Sequence, residues 1–141
     1  MAKKPDWLYK QSAVVPYVRG KETVEIVLVT SSSNSGWVLP KGVIERSMSP
    51  EDSAAKEALE EAGVLGTVSS TPIDEYEYEK WGGICRVKVY PLEVREVLEY
   101  WDEMEQRDRV IVGFDEAIGM IKPQQRASLE KLKDFLEHEN A

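Results

Sequence analysis

The most informative stretch of this sequence is GVIERSMSPEDSAAKEALEEAGV, residues 42–64. Ser49 can cap a helix, Pro50 suits the first helical position, and an acidic residue follows where a capping box places one. Small and apolar residues then recur at helical spacing until Gly63, which favours termination. The pattern therefore predicts a helix from Pro50 to Ala62.

Three glutamates on this helix, Glu57, Glu60 and Glu61, are spaced so that their carboxylates project from one face. On a solvated surface such a cluster costs only about a few tenths of a kcal/mol per like-charge pair, so an ordinary acidic face is one interpretation. The other is a site for hard divalent cations, which prefer carboxylate oxygens and remove the repulsion. The spacing alone favours the first interpretation.

Composition limits the chemistry further. The chain has 141 residues, 42% of them hydrophobic, which suits one compact domain spanning residues 1–141. Cys85 is the only cysteine and His138 the only histidine, which excludes a cysteine-based zinc cluster. Any metal is expected to be held by oxygen, as Mg²⁺, Mn²⁺ or Ca²⁺ are. His138 lies near a polar C-terminus and is not expected to be catalytic.

Hydropathy and charge indicate the compartment and the partners. No stretch approaches the roughly 20 apolar residues that a bilayer span needs, and the start of the chain lacks the apolar segment of a signal peptide. We therefore expect a soluble, cytoplasmic protein without a membrane partner. A net charge of −8 argues against nucleic acid as a partner. A small phosphorylated ligand remains compatible, since divalent ions and a few basic groups can hold it. Both a monomer and a homodimer fit the sequence.

The rest of the chain predicts a sheet and two further helices. Strands are predicted at residues 12–19, 24–30, 37–39, 64–68, 73–81, 84–94 and 109–112. Helices are predicted at 115–121 and 124–139, whereas 100–106 is ambiguous. Pro16 cannot donate a ladder hydrogen bond, which predicts an edge strand or a bulge, and Gly82-Gly83 predicts a two-residue hairpin turn. The order indicates an α/β or α+β sandwich, with an antiparallel or mixed sheet between helices.

Residues 42–64 also resemble the Nudix box, G-x5-E-x7-R-E-U-x-E-E-x-G-U, where U is a bulky aliphatic residue. The matching positions are Gly42, Glu57, Glu60, Glu61, Gly63 and Val64. The preceding residues 37–41, WVLPK, resemble the family's lead-in to the box. The order of strands and helices is similar to the Nudix fold over nearly the whole chain.

The box departs from the family pattern at two positions that act together. Met48 replaces the first glutamate and Lys56 replaces the arginine, and Ala58 is small for its aliphatic position. In the family that arginine commonly orients the acidic residues through ion pairs, and a lysine lacks its planar fork. Glu45 lies three residues too early to be expected to replace the missing acid fully.

The resemblance implies a Mg²⁺-dependent hydrolase, with Mn²⁺ as an alternative ion, that cleaves a phosphoanhydride bond by attack of water. Glu57 and Glu61 would be the main metal ligands, and Glu60 would be a ligand or the general base. The Gly42 carbonyl would complete the coordination. The candidates for a further metal ligand are Glu75, Glu77, Glu79, Glu103 and Glu105. For each of them, a plain solvent-exposed position is the better interpretation.

Two other segment pairs resemble the branch of the family that acts on diphosphoinositol polyphosphates and dinucleoside polyphosphates. They are residues 9–14 with 27–33, and 101–104 with the arginines that follow. The basic residues considered for binding a polyphosphate are Lys10, Lys41, Arg86, Lys88, Arg107 and Arg109. For each of them a solvent-exposed charge is an equal interpretation. Three tryptophans can be interpreted either as core residues or as stacking surfaces for a base. They are Trp37, Trp81 and Trp101.

Two other functions stay open at this point. One is a Nudix-fold binding module with weakened catalysis, which Met48 and Lys56 make conceivable. Retention of all three helix glutamates argues against it, because a binding module does not need a repulsive cluster. The other is a pyrophosphohydrolase acting on the 5′ end of RNA, which the net charge of −8 disfavours.

Overall fold

A computed structural model describes residues 4–139, so the first three residues of the chain start considered above lie outside the described range. The strands are β1 (Lys10–Arg19), β2 (Val24–Thr30), β3 (Trp37–Val38), β4 (Lys41–Val43), β5 (Val64–Val68), β6 (Asp74–Lys80), β7 (Gly83–Val97) and β8 (Arg109–Gly113). The helices are α1 (Pro50–Glu57), α2 (Phe114–Met120) and α3 (Arg126–Glu139), with a π-helical turn at Ala58–Ala62 and 3₁₀ turns at Asp6–Tyr9 and Pro123–Gln125.

The described strands form one mixed sheet with helices on both faces, as predicted. On one face Ala54, Ala58 and Ala62 pack against valines of β1 and β2. On the other, Leu129 and Leu132 of α3 belong to a second core cluster with the alternate residues of β1. Among the described residues, no helix is both long and apolar enough to cross a bilayer.

Strand β1 runs through the interior of the sheet, so the prediction of an edge strand at Pro16 is wrong. Its parallel pairing with β7 continues through Pro16. On the other side, β4 pairs with residues 11–13 and β2 with residues 17–19. The Val14 N–H points to that side and donates to the Pro40 carbonyl. Alternate residues of a strand direct their backbone nitrogens to the same side, so the nitrogen of Pro16 faces that side too. Pro16 therefore falls between two partners, where the ladder requires no donor.

The β6–β7 hairpin turns at Trp81-Gly82 rather than at Gly82-Gly83, because Lys80 pairs with Gly83. Trp81 and Gly82 have φ angles of 54° and 70°, as a type I′ turn requires. Gly83 is required for a different reason, which is the space next to it. A Cβ there would lie 2.6 Å from the ring of Tyr9, so the glycine allows that ring to pack closely.

The remaining elements agree with the predicted ones except at their ends and at β4. Strand β4 was not predicted, because three residues after a proline carry little periodic signal. Residues 102–106 form consecutive turns, and β7 extends three residues beyond its predicted end. The fold therefore brings β4, the end of the first helix and the 102–106 turns together.

Candidate active site

The helix that carries the glutamates is capped as predicted, with Ser49 Oγ accepting from the Asp52 N–H at 3.1 Å. Its last turn is π-helical and ends at Gly63, whose φ is 66°. A π turn is wider than an α turn and often occurs at functional sites. Here it spans Glu60 and Glu61. The three glutamates divide into a contacting pair, Glu57 and Glu61, and one residue with other neighbours, Glu60.

Glu57 and Glu61 form the contacting pair, in which Glu61 is buried and Glu57 is half-buried. Glu61 is 5% exposed, and the two carboxyl groups hydrogen-bond to each other. Burial raises the pKa of both groups, and the hydrogen bond from Glu61 to Glu57 raises the pKa of Glu61 further. The Lys41 backbone N–H donates to Glu61 at 3.3 Å. The pair thus strongly favours sharing a proton or a cation.

Gly42 lies directly against this pair. A Cβ at Gly42 would be 2.3 Å from Glu57 Oε1 and 2.7 Å from Oε2, so any side chain would displace the carboxylate. This contact explains why a glycine begins the box. It also places the backbone of β4 beside the carboxylates, where the Gly42 carbonyl was expected to act.

Arg107 links the contacting pair to the turns at residues 102–106. Its Nε lies 2.7 Å from Glu103 Oε1 and its Nη2 lies 3.7 Å from Glu61 Oε2. Its Nη1 donates to the Thr30 carbonyl at 2.9 Å. The guanidinium is largely buried, so it offsets part of the negative charge of the site and holds the turns in place.

Glu60 faces outward and has its own set of neighbours. Carboxylate oxygens of Glu60, Asp102 and Glu103 lie within 4.8 Å of one another, so they could hold a metal ion together. Lys56 Nζ lies 2.9 Å from Glu60 and 2.8 Å from Glu45. Both carboxylates raise the pKa of Lys56, that of Glu45 most. Glu45 therefore reaches the lysine despite its early position in the box.

A cavity of about 550 Å³ opens beside the carboxylate pair. Glu61 and Gly42 line it where it meets the cluster, and Lys41, Arg107 and Lys122 bring positive charge. Tyr76, Tyr78 and Trp81 from the β6–β7 hairpin provide aromatic surface, and Ser31, Ser32 and Ser33 provide polar groups. Lys122 and the serine loop were not among the sequence-predicted site residues, because nothing local distinguishes them from solvent-exposed groups.

Lys41 is the cavity's most enclosed cation. Its Nζ lies 2.9 Å from the Tyr78 hydroxyl and 3.4 Å from Gln11 Oε1. Both partners are neutral, so the ammonium charge is not cancelled by a bonded carboxylate. Burial lowers the pKa of Lys41, which measures the cost of holding a cation there. An anionic ligand in the cavity would relieve that cost.

The other predicted basic residues lie elsewhere. Lys10, Arg86 and Lys88 are exposed and are not among the residues that line this cavity. Arg86 instead pairs with Glu77 at 3.1 Å across the hairpin. Arg109 Nη1 donates to the Ala62 and Leu98 carbonyls, both at 2.9 Å, so it ties the helix end to the sheet.

The acidic residues outside the box also divide into those that lie at the site and those that lie elsewhere. Glu103 lies at the cluster, as described above, whereas Glu75, Glu79 and Glu105 are exposed. Glu77 is exposed at the rim of the cavity and pairs with Arg86. His138 Nδ1 lies 2.7 Å from the Asp134 carbonyl within α3.

The three tryptophans have three different roles. Trp37 packs against the core. Trp101 donates its Nε1–H to the Glu61 carbonyl at 3.0 Å, and its ring lies against Gly63. Trp81 lies at the hairpin turn and lines the cavity.

Comparison with known proteins assigns the family. The family model described as NUDIX domain matches residues 8–140. This chain belongs to the Nudix family. The membership that the resemblance of residues 42–64 to the Nudix box predicted is therefore confirmed.

Nudix relatives with curated names are hydrolases, as the sequence predicted. "Nudix hydrolase 16, mitochondrial" of Arabidopsis thaliana is 34% identical over 107 residues, which cover 69% of this chain and 58% of that protein. "Diphosphoinositol polyphosphate phosphohydrolase 2" of Rattus norvegicus is 33% identical over 132 residues, covering 89% of this chain and 72% of that protein. The match spans little more than half the length of several of the plant relatives.

The Nudix fold is also confirmed by solved structures. A C. elegans Ap4A hydrolase binary complex has a TM-score of 0.74 and 21% identity, covering 92% of this chain and 98% of that chain. At this identity the likeness establishes the architecture, a mixed sheet between helices, and carries no conclusion about the substrate.

Proposed function

We propose that this chain is a Mg²⁺-dependent Nudix hydrolase that cleaves a phosphoanhydride bond by attack of water on phosphorus, with residues 1–141 acting as one domain. The observation that carries the proposal is the contact between the half-buried Glu57 and the buried Glu61, beside Gly42, with Glu61 at the edge of the cavity. Two acids in contact and shielded from water favour a shared proton or a cation. All the available donors are oxygens, which suits Mg²⁺ or Mn²⁺.

Glu57 and Glu61 would hold the ion, with the Gly42 carbonyl completing its coordination. Glu103 is the best-supported ligand from outside the box, since its carboxylate approaches that of Glu60. When bound, the ion supplies positive charge that stabilises the phosphate oxygens and the leaving group.

The chain's own side chains would orient the substrate and move the proton. Glu60 is partly exposed and is held by Lys56, so it is placed to accept a proton from the attacking water or to join the ligands. Lys41, whose hydrogen-bond partners are neutral, directs its positive charge at the cavity, where it would bind phosphate oxygens. Arg107 would keep Glu61 and Glu103 at a constant separation.

The substrate is proposed to be a small molecule, either a dinucleoside polyphosphate or a diphosphoinositol polyphosphate. Both contain phosphoanhydride bonds and several negative charges, which suit a cavity lined by Lys41, Arg107 and Lys122. Relatives named for each of these activities are found by sequence or by structure. The protein would act without a membrane or nucleic acid partner, as a monomer or homodimer.

The test is a substrate panel with and without Mg²⁺. It contains diadenosine polyphosphates, a diphosphoinositol polyphosphate, nucleoside triphosphates, a nucleotide sugar and 5′-triphosphorylated RNA. We expect metal-dependent turnover that collapses in Glu60→Gln/Glu61→Gln and persists in the control Glu75→Gln/Glu79→Gln, whose side chains are exposed on β6.

Two results would overturn the proposal. No turnover of any compound, with tight binding that the Glu60→Gln/Glu61→Gln variant retains, would identify a binding module. Preferred turnover of the RNA would identify an RNA 5′-end pyrophosphohydrolase.

We also propose that the protein works in the cytoplasm. Cys85 is a free, buried thiol, as is usual in reducing compartments. Five of the plant relatives, however, carry "mitochondrial" in their names. Fractionation of cells that express the tagged full-length protein would decide, and recovery in an organelle would contradict a cytoplasmic location.

A further inference from the structure

The last turn of the helix that carries the glutamates is held from outside by residues 98–109. A helix leaves its final carbonyls without partners inside the helix, and a buried end must find them elsewhere. Here the four consecutive carbonyls from Glu60 to Gly63 each accept from that segment. The first and last accept from backbone N–H groups, those of Glu103 at 3.0 Å and Leu98 at 2.8 Å.

Two side chains supply the other two donors. Trp101 donates its Nε1–H to the Glu61 carbonyl at 3.0 Å. Arg109 Nη1 donates to the carbonyls of Ala62 and Leu98, so one guanidinium joins the helix end to the chain just after β7. The guanidinium carbon lies 4.1 Å from the centroid of the indole, which is a cation–π contact. The two side chains therefore support each other as well as the helix.

The same segment carries groups of the candidate metal site. Carboxylate oxygens of Glu103 and Glu60 lie within 4.8 Å of each other, and Arg107 pairs with Glu103. These carboxylates come from two separate parts of the chain, so nothing local fixes the distance between them. Because Mg²⁺ requires oxygens in near-ideal octahedral positions, the bonds that join the two parts decide whether the ligands can converge.

We infer that Trp101 and Arg109 are positioning residues of the metal site, which hold the turn that carries Glu60 and Glu61 at a fixed distance from Glu103. Neither is among the described residues that line the cavity, so both act through the helix backbone rather than by touching the substrate. Groups that orient metal ligands from behind commonly change metal affinity by about 10- to 100-fold. The inference rests on the proposed function and names residues that shape its metal site.

Trp101→Phe tests the inference in the full chain, because it removes the indole donor and keeps a ring on which the guanidinium can stack. Calorimetric titration with Mg²⁺ alone, without substrate, measures the effect independently of turnover. We expect the variant to bind Mg²⁺ about 10-fold more weakly than the wild type. Trp7→Phe is the matched control, since Trp7 is 37% exposed and its ring lies against Arg46. It should leave the Mg²⁺ affinity unchanged.

Substitutions of Arg109 provide a second, independent test. Arg109→Lys keeps the positive charge at the helix end but loses the planar group that stacks on the indole. Arg109→Gln loses both. We expect Mg²⁺ affinity to decrease from the wild type to the lysine variant and further to the glutamine variant.

A double variant separates positioning from general stability. If Trp101 acts by holding the helix against Glu103, its substitution should matter less once that ligand is gone. The affinity loss of Trp101→Phe/Glu103→Gln should therefore be smaller than the product of the two single losses. Two residues that merely stabilise the fold would give independent losses.

The inference is overturned if folded Trp101→Phe or Arg109→Gln binds Mg²⁺ as tightly as the wild type, whatever its melting temperature. It is also overturned if the losses of Trp101→Phe and Glu103→Gln multiply, or if the wild type does not bind Mg²⁺ without substrate. Failure of the proposed function is a different result. It would be the absence of turnover of every compound in the panel, which the metal titrations do not measure.

Discussion

Glu57 and Glu61 lie four residues apart on one helix, whereas the side chains around the adjacent cavity come from strands, loops and a hairpin distributed along the chain. The acidic pair is positioned by hydrogen bonds within a single turn. The cavity is positioned by strand pairing that joins residues far apart along the chain, as where Gln11 of β1 pairs with Val87 of β7.

The two regions also differ in charge. The acidic pair holds a shared proton in the metal-free chain and can lose it to a cation, while Lys41 in the cavity is solvated by neutral Tyr78 and Gln11. The first region is thus set up for a cation and the second for an anion. The spacing of the catalytic carboxylates is therefore specified by local sequence. The side chains that would select the substrate are brought together by tertiary structure.

Glu61→Gln tests the acidic pair most directly and has the largest expected effect. With Mg²⁺, kcat/KM should fall by about 10²- to 10³-fold, the effect of removing one charge-stabilising group from an active site. The melting temperature without metal should stay the same or rise, because the amide, like the protonated acid, can donate to Glu57 and still accepts from the Lys41 N–H. Glu75→Gln is the control and should change neither quantity. A lower metal-free melting temperature with unchanged kcat/KM would contradict the assignment.

Gly63 tests whether a glycine is required by the local backbone conformation, by tertiary packing, or by both. Its φ of 66° alone would tolerate asparagine. An added Cβ, however, would lie 2.7 Å from Trp101, so any side chain must displace the indole. We expect Gly63→Ala and Gly63→Asn each to lower the free energy of unfolding by about 1–3 kcal/mol, measured in urea. A much milder loss for asparagine would show that only the backbone conformation matters.

Glu103 and Glu105 had equal standing in the sequence, and the structure separates them. Glu103→Gln should weaken Mg²⁺ binding about 10-fold, because it alters a group beside Glu60 and Arg107. Glu105→Gln removes an exposed carboxylate and serves as the matched control. Calorimetric Mg²⁺ titration of both variants distinguishes them, and equal affinities would remove Glu103 from the site.

Glu45 tests whether the departure at Met48 is compensated, with the smallest expected effect. Glu45→Gln removes one carboxylate from Lys56 and should lower kcat/KM by about 2- to 5-fold, since the pair is largely exposed. Adding Met48→Glu restores an acid at the box position and should recover most of the loss. If the double variant is no better than Glu45→Gln, position 48 does not serve the lysine.

Sequence reasoning succeeded where one element satisfies its own requirements. The helix start at Ser49 and the stop at Gly63 were predicted from capping preferences, and both were found. It failed where the choice of residue depends on the packing or pairing of two different elements. Pro16 is tolerated inside the sheet because β4 and β2 leave a gap between them, and Gly83 is required by the ring of Tyr9 rather than by the turn.

The same distinction applies to the site. Spacing along a helix was sufficient to single out Glu57, Glu60 and Glu61. It did not predict that the π-helical turn would place Glu60 apart from the other two, nor which of the basic residues would face the cavity. Lys41 and Lys10 were both predicted as candidates, yet only Lys41 lines the cavity.

The sequence by itself determined the family, the order of the elements and the carboxylate chemistry, because capping, periodicity and glutamate spacing act over a few residues. Only the tertiary structure decided that Glu45 reaches Lys56, that Trp101 supports the helix end, and that Trp81 faces the cavity. Those contacts depend on sheet register and on the path of the chain between elements, which no local pattern specifies.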